Sequence, residues 1–228
     1  MNYIEIAKQK LLEIENLREI PNIQINQYID YTLLKPDATY EDLNNFLNQA
    51  ISNNYYAVCV NPYFVQKVKE VLNSEKIKIC SVVGFPIGCT PLKIKLYETE
   101  WLLSQGIDEI DMVMNISAFK SGDYKYVEYE IREISKIFGN LKVIIETCLL
   151  NDEEKIIASE IVKNSGAKFV KTSTGFSKHG ATIFDVALLR IVVGNDFGVK
   201  ASGGIRDRIT AIKMILAGAN RIGTSSAL

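Results

Sequence analysis

Eight short apolar runs alternate with amphipathic stretches of helical period along this chain, and that alternation limits the fold more than any other feature. After an opening helical stretch near 3–18, strand-like runs are predicted around 27–34, 55–60, 77–84, 107–115, 141–147, 168–173, 198–202 and 220–225. Helices are predicted between them at 39–53, 62–73, 91–105, 123–138, 152–165, 182–193 and 206–218. Strand–helix–strand repeats call for parallel pairing with right-handed crossovers. Eight units in 228 residues fit an α/β fold, the (β/α)8 TIM barrel, as one domain over 1–228. An extra N-terminal helix and a short or absent eighth helix are expected, because the sequence ends at Leu228. The N-terminal helix would cover the barrel bottom or the gap so left. A doubly wound open sheet is the alternative, but the turn after the first strand, LLKPDAT, is not glycine-rich.

A net charge of −1 gives no sign of a nucleic-acid or membrane partner. No uninterrupted apolar stretch approaches the roughly 18 residues of a membrane span, and the amphipathic N-terminus lacks a signal-peptide core, so a cytoplasmic protein is expected. Cys59, Cys80, Cys89 and Cys148 form no C-x-x-C pair and read as reduced core thiols. One histidine, His179 in a polar loop, leaves little for a dedicated zinc site, and no metal is expected.

Two lysines stand near the ends of successive strand-like runs, Lys171 in FVKTSTG and Lys200 in FGVKASGG. Lysine is rarely buried, because its ammonium loses hydration. Side chains two apart on a strand share a face, so Asp111 in IDEIDMVMN faces inward with Glu109, Val113 and Asn115. In a barrel, Asp111, Lys171 and Lys200 converge at the C-terminal ends of the strands. An amine crowded by a second cation loses its proton more easily and then attacks carbonyls, which points to Schiff-base chemistry. A solvated rim or a structural ion triad is the plainer reading of the same residues.

The last two loops carry a second signal. Gly203 and Gly204 precede one helix, and Gly223, Thr224, Ser225 and Ser226 stand where the next helix would start. Small residues let backbone N–H groups approach an anion, and these loops bind phosphate recurrently in this fold. Thr174 and Gly175 in the loop after the sixth strand would add to that pocket. The GFPIG segment (84–88) matches neither a Walker loop nor a dinucleotide fingerprint, and its glycines are expected to shape the barrel rim.

These motifs, with IDYTLLKPDAT, AVCVNP, SVVGFPIG, EIDMVMN, KVIIET and RIGTSSAL, resemble the deoxyribose-phosphate aldolases over nearly the whole chain. The resemblance implies a class I aldolase that cleaves 2-deoxy-D-ribose 5-phosphate in deoxyribonucleotide catabolism, with neither metal nor organic cofactor. It implies that Lys171 forms the Schiff base, Lys200 perturbs it, Asp111 works in proton transfer and Cys59 lines the substrate pocket. The expected partner is a small phosphosugar, and the assembly a homodimer or homotetramer. Two departures stand out: Tyr31 occupies a position where many members have histidine, and no C-terminal tail carries an assisting tyrosine. A different phosphosugar aldolase or isomerase, or a non-catalytic phosphosugar-binding protein, remains open on the residues alone.

Overall fold

A computed structural model describes residues 2–228. Strands β1 (Ile29–Leu33), β2 (Ala57–Val60), β3 (Lys78–Val83), β4 (Glu109–Val113), β5 (Leu141–Ile144), β6 (Phe169–Lys171), β7 (Gly198–Ser202) and β8 (Arg221–Thr224) pair in chain order, all parallel. β8 returns to pair with β1 and closes the barrel. The open-sheet alternative is thereby excluded. Helices α1 (Tyr3–Glu15), α2 (Tyr40–Ser52), α3 (Val65–Leu72), α4 (Leu92–Ser104), α5 (Ile116–Lys120), α6 (Tyr124–Ile137), α7 (Asp152–Asn164), α8 (Ile183–Val193) and α9 (Arg208–Leu216) alternate with them. Among the described residues no helix follows β8, and none is long and apolar enough to cross a membrane.

Local chemistry sets the helix starts. Thr39 and Asn151 each cap a helix reciprocally with the acid three residues on, Asp42 and Glu154. α5 was not expected from the pattern, since ISAFK is too short to show a helical period. It forms because Asn115, read above as an inward strand residue, lies past the strand end and accepts the Ala118 N–H.

α1 lies along α8 and buries Ala7 and Ile14. This explains why α8 (IFDVALLRIVV) is apolar on nearly all sides: the barrel covers one face and α1 another. The segment after α1 then passes the start of α9, where the Arg208 guanidinium donates to the Ile23 carbonyl at 2.6 Å.

Outward strand residues pack under the helices. Tyr31 is one of them. Its ring stacks on Phe46 of α2 at 4.5 Å and its hydroxyl donates to Gln49 Oε1, so the departure at this position points away from the barrel interior. Cys59 and Cys80 are core thiols as expected, but Cys89 is exposed and Cys148 half-buried, because both fall in loops beyond strand ends.

A buried ion pair grips the end of β4 from outside. Lys95 of α4 and Glu130 of α6 are both fully buried and 2.9 Å apart. Lys95 Nζ donates to the Val113 carbonyl at 2.8 Å, and Glu130 Oε2 accepts the Asn115 N–H at 2.9 Å. Burial pushes the lysine down and the glutamate up from their ordinary values, each against its partner's charge. Gly84, at φ +61°, leaves room for the lysine stem, since a Cβ there would lie 2.7 Å from Lys95 Cε. Gly88 sits over the Met114 carbonyl at a distance no Cβ tolerates, 2.2 Å, so the GFPIG loop does shape the rim.

Removing one member leaves the other buried and uncompensated. Lys95→Met or Glu130→Leu alone should cost about 3–5 kcal/mol in urea unfolding, and the double variant much less than their sum. Additive losses would show that the two charges do not hold each other.

Candidate active site

Inward strand positions build an ionic core where a barrel usually packs aliphatic side chains. Asp111 is fully buried at its centre. Its Oδ2 accepts from Lys171 Nζ at 2.6 Å and from Lys200 Nζ at 2.8 Å; its Oδ1 accepts from Lys142 Nζ at 3.1 Å. Lys200 also reaches Asp30 of β1 at 2.5 Å, and Lys142 reaches Glu109 at 2.5 Å. Arg221 of β8 closes the lower side, 3.6 Å from Asp30 and 3.5 Å from Glu109. Register explains the convergence. Lys171, Lys200 and Arg221 are paired in turn across β6, β7 and β8. Gly223 supplies the space, because a Cβ there would lie 3.2 Å from Lys200 Cε.

Electrostatics fix most of these charges. Burial alone would push the Asp111 carboxyl up, but the three ammoniums outweigh it and hold it well below the ordinary carboxylate range. Asp30 is likewise lowered, burial being outweighed by Lys200, Lys142 and Arg221. Burial would lower Lys142 and Lys200, yet the carboxylates raise both, Lys142 well above the ordinary value. Both are firm cations.

The three lysines differ in access. A cavity of about 260 Å³ opens at the C-terminal ends of the strands. Lys171 lines it; Lys142 and Lys200 lie beneath. Thr174, Gly175, Gly203, Gly204 and Ser225 also line it, together with Arg206 and Lys35. A larger cavity, about 440 Å³, lies at the opposite mouth, where Lys142, Glu109 and Arg221 form its inner end. The smaller one is the candidate site, because it lies at the C-terminal ends of the strands, where this fold places its chemistry, and is lined by Lys171.

Backbone lacing shapes this pocket. Gly203 and Gly180 approach so closely that a Cβ on Gly180 would lie 2.0 Å from the Gly203 oxygen. Ser202 Oγ donates to the Ser173 carbonyl at 2.6 Å, and Thr172 Oγ1 accepts the Ser202 N–H at 3.1 Å. Gly204, at φ +77°, has open space where a side chain would be.

Several expected residues sit differently from their assigned roles. Thr174 lines the cavity, but its hydroxyl and N–H are both donated to the Glu146 carboxylate. Ser226 is not among the cavity residues, and its N–H is donated to Thr224 Oγ1. Cys59 is fully buried below the cavity, packed with Leu34, Cys80 and Val82. His179 is exposed, as expected.

Sequence reasoning missed Lys142, Asp30, Glu146 and Arg221. Lys142 and Asp30 carried a usable signal, since each is a charged residue at the inward parity of an otherwise apolar strand. Glu146 carried none, because its left-handed backbone (φ +54°) is invisible in the sequence.

Residues 24–226 match the DeoC/LacD family of aldolases. The chain belongs to this family. It is therefore an aldolase, a carbon–carbon lyase. A deoxyribose-phosphate aldolase of Thermococcus gammatolerans is 54% identical over 210 residues, 90% of this chain and 93% of the relative. The solved structure of an aldolase called QR15 is 43% identical with a TM-score of 0.87, covering 90% of this chain and 93% of that one. A tetrameric deoxyribose phosphate aldolase from Aeropyrum pernix is 32% identical with a TM-score of 0.81, covering 99% and 94%.

The depressed carboxyls of this aldolase set its acid limit. Asp111 and Asp30 contribute stability above the ordinary carboxylate value, about 3.9, and lose it as pH falls through their lowered values. Lys142→Met removes a cation that holds both down. Followed as urea midpoint against pH, the stability lost on acidification should then be smaller than in wild type and should level off at a higher pH, because both carboxyls protonate closer to their unfolded value. An acid limb unchanged from wild type would show that Lys142 is not what holds them.

Proposed function

We propose that this aldolase reversibly cleaves 2-deoxy-D-ribose 5-phosphate to D-glyceraldehyde 3-phosphate and acetaldehyde through a Schiff base on Lys171. The observation that carries the reading is the difference in access among the three lysines around Asp111: only Lys171 lines the C-terminal cavity. The relatives' names supply the substrate, and the small-residue loops around Gly175, Gly203, Gly204 and Ser225 suit a phosphate group. Arg206 and Lys35 add positive charge at the same cavity.

The amine of Lys171 attacks C1 of the open-chain sugar, and loss of water gives a protonated imine. The C2–C3 bond then breaks, its electrons pass into the imine as an enamine, and the C3–C5 fragment leaves as glyceraldehyde 3-phosphate while the C3 hydroxyl proton is taken up by a base. Protonation of the enamine carbon and hydrolysis release acetaldehyde and free Lys171. The imine is the electron sink, so the reaction needs neither metal nor organic cofactor. Asp111, with Lys200 and a water, moves the protons. Lys200 adds a fixed positive charge beside Asp111, which favours the neutral form of a neighbouring amine. We extend the reading to a single-domain cytoplasmic enzyme of deoxyribonucleoside breakdown, assembled as a homo-oligomer. A tetrameric relative supports that assembly.

Lys171→Leu should abolish cleavage, with less than a few per cent of wild-type turnover, while the variant still binds deoxyribose 5-phosphate in a direct titration. Substantial remaining turnover would reject the assignment of Lys171.

Lys200→Leu should move the rising limb of the pH–rate profile upward by about one unit or more, because a nearby cation that favours the neutral amine is gone. Activity should partly return as pH is raised. A uniformly inactive variant with an unshifted profile would mean that Lys200 acts by direct contact instead.

A further inference from the structure

Two thiols under the cavity have no part in this chemistry as written. Cys59 and Cys80 are direct partners across β2 and β3, both inward and both fully buried. Their sulfurs and a carboxylate oxygen of Asp111 lie within 4.8 Å of one another, and this is the one such cluster of potential metal ligands among the described residues. Cys80 Sγ donates to Asp111 Oδ1 at 3.3 Å. In a tetrahedral thiolate site with metal–sulfur bonds of about 2.3 Å, donor atoms stand about 3.5–3.8 Å apart. The three groups need only small side-chain rotations to meet that spacing.

We propose that Cys59, Cys80 and Asp111 form a latent inhibitory site for a thiophilic divalent cation of the zinc class. Two sulfurs and one carboxylate oxygen are a donor set that selects such ions over hard ones. Charge balance favours occupancy in this interior. A divalent ion enters as two thiol protons leave, so the net charge among Lys142, Lys171 and Lys200 does not change. Leu34 is the partition: it packs on Cys59, Cys80 and Val82 and also lines the cavity, so its rotation would open the thiols to the pocket. The ion's fourth position would face that way. Occupancy would stop turnover, because a cation on Oδ1, the oxygen next to Cys80, would draw charge from the carboxylate and leave it too weak a base to move protons for Lys171, which lies 2.6 Å from Oδ2. The inhibition, though not the site, rests on the Schiff-base reading above.

The test is a Co2+ titration of the full chain under a non-thiol reductant. It is followed by thiolate-to-cobalt absorption and, in parallel, by aldolase turnover, with Zn2+ as the second ion. The expected result is one Co2+ per chain and a turnover that falls in step and returns with a chelator. Cys80→Ser, read against its own metal-free rate, should weaken binding by about 100-fold or more, since even groups that only orient a ligand are worth about 10–100-fold. The Cys89→Ser/Cys148→Ser double variant should bind as wild type does. If circular dichroism shows Cys80→Ser unfolded, Cys59→Ala is read for binding in its place. An absorption that survives these core substitutions, or one that is lost with Cys89 and Cys148, overturns the site. Binding at the core thiols with undiminished turnover removes Asp111 from the ligand set and overturns the three-ligand proposal. A metal-free protein without cleavage activity would count against the proposed function instead, and the cobalt spectrum would still decide the site.

Discussion

The carboxylate of Asp111 accepts hydrogen bonds from three buried ammoniums, and the barrel is organised around that sharing. Four cations and three carboxylates occupy the interior, namely Lys142, Lys171, Lys200 and Arg221 against Asp30, Glu109 and Asp111. Desolvating such a cluster is costly, and hydrophobic replacement of buried ion pairs is often neutral or stabilising. A core built this way trades stability for chemistry. On the proposed Schiff-base reading it surrounds one reactive amine with charges held in place by their neighbours, and such preorganised electrostatics is the largest single source of catalysis in many enzymes.

The rest of the fold holds this cluster in position. β4 carries Asp111, and its exit is fastened on the outside by the Lys95–Glu130 pair and above by the Gly84–Gly88 turn. The tops of β6 and β7 are laced together through Thr172, Ser202 and the Gly180–Gly203 approach. Phe85 of the first of these loops meets Phe176 of the β6 loop edge-on, with centroids 5.4 Å apart, so the two halves of the rim touch beside the cavity. A displacement at either fastening point would move Asp111 relative to Lys171. Distances of a few tenths of an ångström matter there, since both Lys171 and Lys200 share one oxygen.

Much of this was readable in the sequence, for physical reasons. Strand parity placed Asp111, Lys171 and Lys200 inward because period-two alternation survives even in short strands. The closed barrel followed from the count of units. Lys142 and Asp30 carried only the signal of inward parity, because a single charged residue in a strand also reads as a rim position until closure brings Asp30 against Lys200 and Lys142 against Asp111. The commitment of Thr174 to Glu146 and of Ser226 to Thr224 could not be foreseen, since both depend on loop backbone geometry. The pairing of Cys59 with Cys80, 21 positions apart, rests on the register of β2 and β3, which an apolar pattern does not specify.

Of the three amines around one carboxylate, Lys171 alone is proposed to be the nucleophile. Borohydride reduction of the wild-type protein in the presence of acetaldehyde, with peptide mapping by mass spectrometry, tests it most directly. The account predicts one ethyl adduct per chain, on Lys171, that requires the aldehyde before reduction and appears in step with loss of activity. An adduct on Lys200 or Lys142, or complete inactivation with no adduct on any lysine, would contradict it.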